Sequence, residues 1–237
     1  MNIYDSVQRK KVEFIPIKEN QVKIYVCGPT VYDDAHLGHA RSALAFDLLR
    51  RTFTGLNYHV TFVKNFTDID DKIIKKMNET GKSLEEITSF YIKRYKDEMH
   101  ALGVNDADIE PKATESVNEI VLFIESLLKE EKAYITSDTV YFDTSKDDKY
   151  LELSHMKMDD TRARVEENSE KKDQKDFALW KFSKPGEPTY KASFGDGRPG
   201  WHIECSCMIE KYLSYDGDFQ IDIHGGGADL LFPHHEN

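Results

Sequence analysis

The chain has 237 residues, 39% of them hydrophobic and 32% charged, with a formal net charge of −11. That length can bury one good core and part of a second. The acidic balance excludes a broad basic face, so any nucleic-acid contact must be local.

The N-terminal run Met1-Asn2-Ile3-Tyr4-Asp5-Ser6 lacks the basic-then-apolar plan of a signal peptide, and no apolar stretch reaches membrane-spanning length. Three cysteines are too few for a disulfide framework, so a reducing cytoplasm and no membrane partner are expected. Val22 to Val26 is a short apolar run that reads as a buried strand. Gly28-Pro29 breaks it, because proline cannot donate to a ladder and glycine tolerates unusual backbone angles. From Gly38 to Arg51 the apolar residues are crowded enough for a buried helix, with Asp47 the exception. His36-Leu37-Gly38-His39 therefore sits where a strand hands over to a helix. A helix start offers free backbone N–H groups and a positive dipole end, which suits phosphate. The two histidines add donors, and Gly38 would let a nucleotide approach the backbone. The plainer reading of the same residues is an ordinary strand-to-helix turn with two surface histidines.

His59 to Lys64 is a second strand, which makes a strand–helix–strand unit with a parallel pair and places the chain in the α/β class. Asp68, Asp70 and Asp71 follow closely; capping of a helix that begins near Asp70 accounts for them better than a cation site does. The pattern then turns helical to Lys132. Ser83 with Glu86 forms a capping-box start, and Ile87, Phe90, Tyr91, Tyr95 and Met99 recur at helical spacing. Val117, Ile120, Val121, Ile124, Leu127 and Leu128 make a second apolar stripe. Both stripes read as core, not as a cofactor pocket.

Tyr134-Ile135 and Val140-Tyr141-Phe142 read as a hairpin around Ser137-Asp138. Ser145 to Lys175 is rich in charges of both signs and reads as a solvated, mobile excursion. Order returns at Asp176 to Lys181, and Pro185 to Pro188 marks a loop. Residues 71–195 thus read as a helical and α+β insertion between residues 1–70 and 196–237, which belong to one parallel sheet. In the last part, Gly197 to Met208 is a glycine loop entering a helix, Phe219 to His224 alternates like a strand, and Leu230 to Asn237 closes the chain.

Cys27 falls at the C-terminal end of the first strand, the edge where open α/β sheets bind ligands. Cys205 and the His234-His235 pair flank a later strand. Thiolate and imidazole are donors that Zn²⁺ favours, yet the spacing alone favours inert buried cysteines and a polar helix cap.

The string C-G-P-T-V-Y-D-x-x-H-x-G-H from Cys27 to His39 resembles the HIGH signature of class I aminoacyl-tRNA synthetases, and specifically the cysteinyl-tRNA synthetase family. The likeness continues through N-F-T-D-I-D-D-K, D-F-A-L-W-K, R-P-G-W-H-I-E-C-S and G-G-G-x-D-L-x-F-P-H-H-E-N. The resemblance implies a Rossmann-like nucleotide-binding sheet and the ATP- and Mg²⁺-dependent activation of L-cysteine, followed by transfer to tRNA(Cys) by a monomer. It implies that His36, His39 and Thr30 serve catalysis, with Gly38, His36 and His39 on ATP. It also implies that Trp201, Cys27, Gly28 and Thr30 line the amino-acid pocket, and that one zinc ion is held by Cys27, Cys205 and His234. The family's fourth ligand would fall one position beyond Asn237, and its KMSKS loop and anticodon-binding region are expected beyond that point too. Cys207 stands where the family commonly has a small residue. A cysteine ligase acting on an amino-sugar and a non-catalytic zinc-stabilised module remain as alternatives.

Overall fold

In the computed structural model, residues 1–156, 169–216 and 221–237 are described. The chain starts with an antiparallel hairpin of β1 (Asn2–Asp5) and β2 (Lys10–Glu13), which the sequence pattern did not announce. Next come β3 (Gln21–Val26), helix α1 (Leu37–Gly55) and β4 (His59–Lys64). Strands β3 and β4 pair in parallel from Gln21↔His59 to Val26↔Lys64, as the strand–helix–strand pattern requires. Strand β9 (Ile223–Gly225) joins the other edge of β3 in parallel, which gives the order β4-β3-β9. The strand predicted from Phe219 is thus shorter, with Phe219 and Gln220 outside the described residues.

Between β4 and β9 the chain forms α2 (Asp71–Thr80), α3 (Leu84–Ala101), α4 (Val117–Lys129) and a second sheet. That sheet is antiparallel, in the order β5 (Ala133–Ile135), β6 (Thr139–Phe142), β7 (Phe177–Phe182), β8 (Gly197–Pro199). Helix α5 (Trp201–Leu213) follows. Local chemistry sets these starts: the Asp70 side chain accepts from Lys72 N at the head of α2, and Ser83 and Glu86 exchange hydrogen bonds at the head of α3. Asp68 instead accepts from the backbone and hydroxyl of Thr114, at 2.9 and 2.6 Å. Asp71 pairs with Lys181 and with the buried guanidinium of Arg198. The three aspartates are all held by protein partners.

Alternation along β3 divides the core. Val22, Ile24 and Val26 face α1 together with Phe53 and Phe62, whereas Tyr25 and Cys27 face α5, with Cys205, Met208, Ile209 and Leu213. Helix α5 also presents Ile203 and Cys207 to the antiparallel sheet, where they meet Leu179, Trp180 and Ile120 of α4. It is therefore wedged between the two sheets and buries seven of its thirteen residues.

Two expectations need correction. Helix α1 is not buried all round: Leu44 and Leu48 are 44% and 66% exposed, while Asp47 is buried. Positions 43, 47 and 50 share the inward stripe at helical spacing, and Asp47 is tolerated there because Arg51 Nε donates to it at 2.6 Å and Arg50 stands 3.5 Å away. The charged segment 145–175 is also not wholly solvated. Residues 157–168 lie outside the described ones, but on its flanks Ser154 is buried. Glu236 accepts from the backbone N–H groups of Leu151 and Ser154, both at 2.7 Å.

Leu179 is fully buried between α4, α5 and the antiparallel sheet. Leu179→Ala is expected to lower unfolding free energy by about 2–5 kcal/mol, through lost transfer energy plus a cavity. Urea unfolding followed by circular dichroism measures it; a loss under about 1 kcal/mol would contradict this packing.

Candidate active site

The C-terminal ends of β4, β3 and β9 open into a cleft of about 420 Å³, lined by Cys27, Thr30, His36, His39, Lys64 and Trp201 among others. A volume of this size suits a small-molecule site. The floor is the turn after β3. Its backbone pairs with the segment after β4, through Val31 N to Thr67 O at 3.1 Å and Thr67 N to Pro29 O at 3.2 Å. Gly28 N donates to the Asn65 side chain at 2.9 Å. The glycine at 28 answers a close approach and not an unusual backbone angle: a Cβ there would stand 1.6 Å from the carbonyl oxygen of Asn65.

One wall is the head of α1. His36 is the N-cap, its Nδ1 accepting from Gly38 N at 3.1 Å, and His39 Nδ1 accepts from His36 N at 3.2 Å. The two imidazoles form a reciprocal capping box, with ring centroids 4.0 Å apart. Because Nδ1 accepts in each ring, the neutral imidazole carries its proton on Nε2 and offers that N–H to the cleft. Burial first, and the neighbouring His36 second, push the His39 pKa down, which favours the neutral form. The space over Gly38 is taken by the His36 ring, since a Cβ would lie 2.8 Å from its Cε1. This glycine thus admits the capping ring.

The opposite wall gathers sulfur and nitrogen. Cys27 Sγ lies 3.3 Å from Cys205 Sγ and 3.2 Å from His224 Nε2, and Cys205 Sγ lies 3.5 Å from His234 Nε2. The donor atoms of Cys27, Cys205 and His234 fall within 4.8 Å of one another, and all three residues are buried. Contact with the Cys27 thiol, then burial, hold the Cys205 thiol well above its usual range. A bound cation is what would let the pair ionise, so the donor set and its spacing fit a thiophilic divalent metal. His234 is oriented by contacts on both sides of its ring: it stacks on Trp201 at 4.1 Å, and its Nδ1 lies 3.2 Å from Nδ1 of His202.

The residues marked in the sequence, Cys27, Gly28, Thr30, His36, Gly38, His39 and Trp201, all line this one cleft, with Cys205 and His234 in contact behind Cys27. Sequence reasoning marked His235 only as the neighbour of His234 and missed His224 and Lys64. His224 and His235 form a second group around Cys27; burial pushes their pKa values down to about 4 and about 3, so both are neutral at pH 7. The glycine run after His224 and the doubled histidine were the available signals. Lys64 is a buried ammonium whose pKa burial lowers, and it stands 5.0 Å over the Tyr95 ring. Nothing in a strand-end lysine marks it in sequence.

This arrangement is a class I synthetase fold by comparison: the chain superposes on Mycobacterium tuberculosis methionyl-tRNA synthetase, solved with methionyl-adenylate, with a TM-score of 0.64 at 11% identity, over 91% of this chain and 53% of that one. Residues 13–237 match the family model described as tRNA synthetases class I (C) catalytic domain, and the chain belongs to that family. It is 64% identical to a cysteine–tRNA ligase of Sulfurovum sp. (strain NBC37-1) over 100% of this chain and 52% of the relative. Against the cysteine–tRNA ligase of Aliarcobacter butzleri the identity is 63%, over 100% and 51%. The chain spans about half the length of the curated relatives it matches. No helix among the described residues is long and apolar enough to cross a membrane.

Gly28→Ala is expected to displace the turn carrying Cys27 and Thr30, because the added Cβ meets backbone and not a flexible side chain. The loss should reach about 1–3 kcal/mol, as for other overpacked sites. Thermal unfolding of the variant checks it, and an unchanged midpoint would show that the turn can relax freely.

Proposed function

We propose that the intact protein activates L-cysteine with ATP and Mg²⁺ and transfers the cysteinyl group to tRNA(Cys). The observation that carries this reading is the meeting of Cys205 and His234 with Cys27, which lines the same cleft as the capped head of α1. Thiol recognition and phosphate recognition then stand on opposite walls, one on each side of the turn from Gly28 to Thr30. The relatives named as cysteine–tRNA ligases favour tRNA over an amino-sugar as acceptor.

In the first step the cysteine carboxylate attacks the α-phosphate in line; an oxygen–phosphorus bond forms and the bond to pyrophosphate breaks. The positive end of the α1 dipole and the Nε2–H donors of His36 and His39 meet the charge that builds on the phosphate oxygens. Trp201 and Thr30 confine the amino acid, so much of the gain comes from orientation. In the second step a hydroxyl at the tRNA 3′ end attacks the activated carbonyl and AMP leaves. Cys27, Cys205 and His234 would hold a zinc ion, which when bound supplies a soft centre that prefers a thiolate to a hydroxyl. A pocket discriminating by shape alone separates such close isosteres by only about 1–3 kcal/mol.

Two measurements on the full-length protein test this reading. His36→Ala and His39→Ala should each slow cysteine-dependent pyrophosphate exchange by roughly 2–4 kcal/mol of activation free energy, the scale of one lost oxyanion donor. Wild-type exchange in either variant would remove the histidines from the mechanism. Metal analysis should find one zinc per wild-type chain and clearly less in Cys27→Ala and Cys205→Ala; full retention in both would refute the ligand assignment.

A further inference from the structure

Behind the cleft lies a row of buried polar groups that the mechanism above leaves unused. Glu204, on α5 beside Cys205, is fully buried, and its Oε2 accepts from the Thr67 hydroxyl at 2.7 Å. The same hydroxyl accepts from Asn65 Nδ2 at 3.3 Å, and Asn65 Oδ1 accepts from Gly28 N at 2.9 Å. Asn65 and Thr67 are each 1% exposed. The other oxygen of Glu204, Oε1, is buried and has no hydrogen-bond partner among the described residues. Buried carboxyl groups of this kind are costly, and a leucine or methionine would fill the same space without that penalty. A merely structural helix residue at the interface of two sheets gains nothing from being a glutamate.

What the carboxyl does is end the chain of donors. Thr67 needs an acceptor for its hydroxyl proton if its lone pairs are to stay turned toward Asn65. Asn65 in turn holds the Gly28 amide, and the Thr67 backbone holds Pro29 and Val31 on either side of Thr30. Glu204 thereby ties the helix that carries Trp201 and Cys205 to the turn that carries Cys27 and Thr30. By contrast, the head of α1 is capped by its own histidines and takes nothing from this row.

We infer that Glu204 is a positioning residue for the amino-acid half of the cleft, acting as hydrogen-bond acceptor for Thr67 and, through Thr67 and Asn65, setting the turn from Gly28 to Val31. The inference rests on the function proposed above. Its role is that of an acceptor and not of a charge, so glutamine can replace it and leucine cannot. The effect falls on cysteine and spares ATP, because only one wall of the cleft is tied to α5 by this row.

The test uses the full-length enzyme and cysteine-dependent pyrophosphate exchange, with KM for cysteine and KM for ATP measured separately and zinc content measured alongside. Glu204→Leu is expected to raise KM for cysteine about tenfold or more, in line with a buried donor left unpaired. KM for ATP and zinc content should hold. Glu204→Gln should bring KM for cysteine back to within about threefold of wild type, since an amide oxygen still accepts. Thr67→Val, on a different element, should reproduce the Glu204→Leu effect, and the double variant should add little to either single one. An unchanged KM for cysteine in Glu204→Leu overturns the inference. So do a parallel rise in KM for ATP, loss of zinc, or a Glu204→Gln variant as impaired as Glu204→Leu. If Glu204→Leu does not fold, Thr67→Val carries the measurement alone, and a wild-type KM for cysteine there overturns the inference equally. Absence of cysteine-dependent exchange in the wild-type protein would instead refute the proposed function, so the two failures are told apart.

Discussion

Parallel pairing on both edges of β3 is the constraint from which the arrangement of the cleft follows. A parallel neighbour must start at the same end of the sheet, so the chain returns through a helix each time and delivers each strand's C-terminus to one edge. The register then brings Val26 opposite Lys64 on one side and opposite Gly225 on the other. Cys27, Asn65 and His224 consequently emerge together, although 197 positions separate the first from the last. The side-chain alternation that accompanies the register turns Cys27 toward α5 and its thiol partner Cys205. A slip of one residue would send that thiol to the α1 side and break the sulfur pair, so the Cys27–Cys205 contact and the strand register stand or fall together.

How much of this was legible in sequence differs by feature. The strand, the glycine–proline break and the helix start could be read locally, because apolar runs, breakers and caps act over a few residues. Ser83 with Glu86 and Asp70 acted as their chemistry dictates. The meeting of Cys27 with Cys205 and His234 was not legible from spacing, since it depends on the return of β9 to β3; only the resemblance of whole motifs pointed to it. Asp47 and its neighbours misled for a different reason. The pattern of apolar residues on α1 suggested burial on every side, but a three-stranded sheet covers only one face, and the inward stripe holds an aspartate because two arginines lie within reach. The β1–β2 hairpin left no clear signal, as its strands are four residues each and alternate weakly.

Glycines show the same gap between residue type and reason. Gly28 and Gly38 were expected to supply backbone freedom or room for ligand. In the structure both are required by a neighbour that is part of the protein: the Asn65 carbonyl in one case and the His36 ring in the other. The second has a chemical consequence. A glycine at 38 leaves room for His36 to fold back over the helix start, and when capping its Nδ1 accepts from the backbone, which places the ring proton on Nε2. The capping contacts of the two histidines thus set which ring nitrogen is a donor.

This assignment separates the two walls by the kind of nitrogen they present. At the head of α1, imidazoles fixed as Nε2–H donors suit oxygen-rich, negatively charged groups. On the other wall, His234 Nε2 faces a thiol sulfur while its Nδ1 lies against His202; with the ring proton on Nδ1, Nε2 offers a lone pair. Burial, which keeps His202, His224 and His235 neutral at pH 7, serves the same end, because a protonated imidazole can neither ligate a cation nor accept a hydrogen bond. One residue type therefore meets opposite surroundings on the two sides of a single cleft. The choice is made not by the ring but by what its second nitrogen touches.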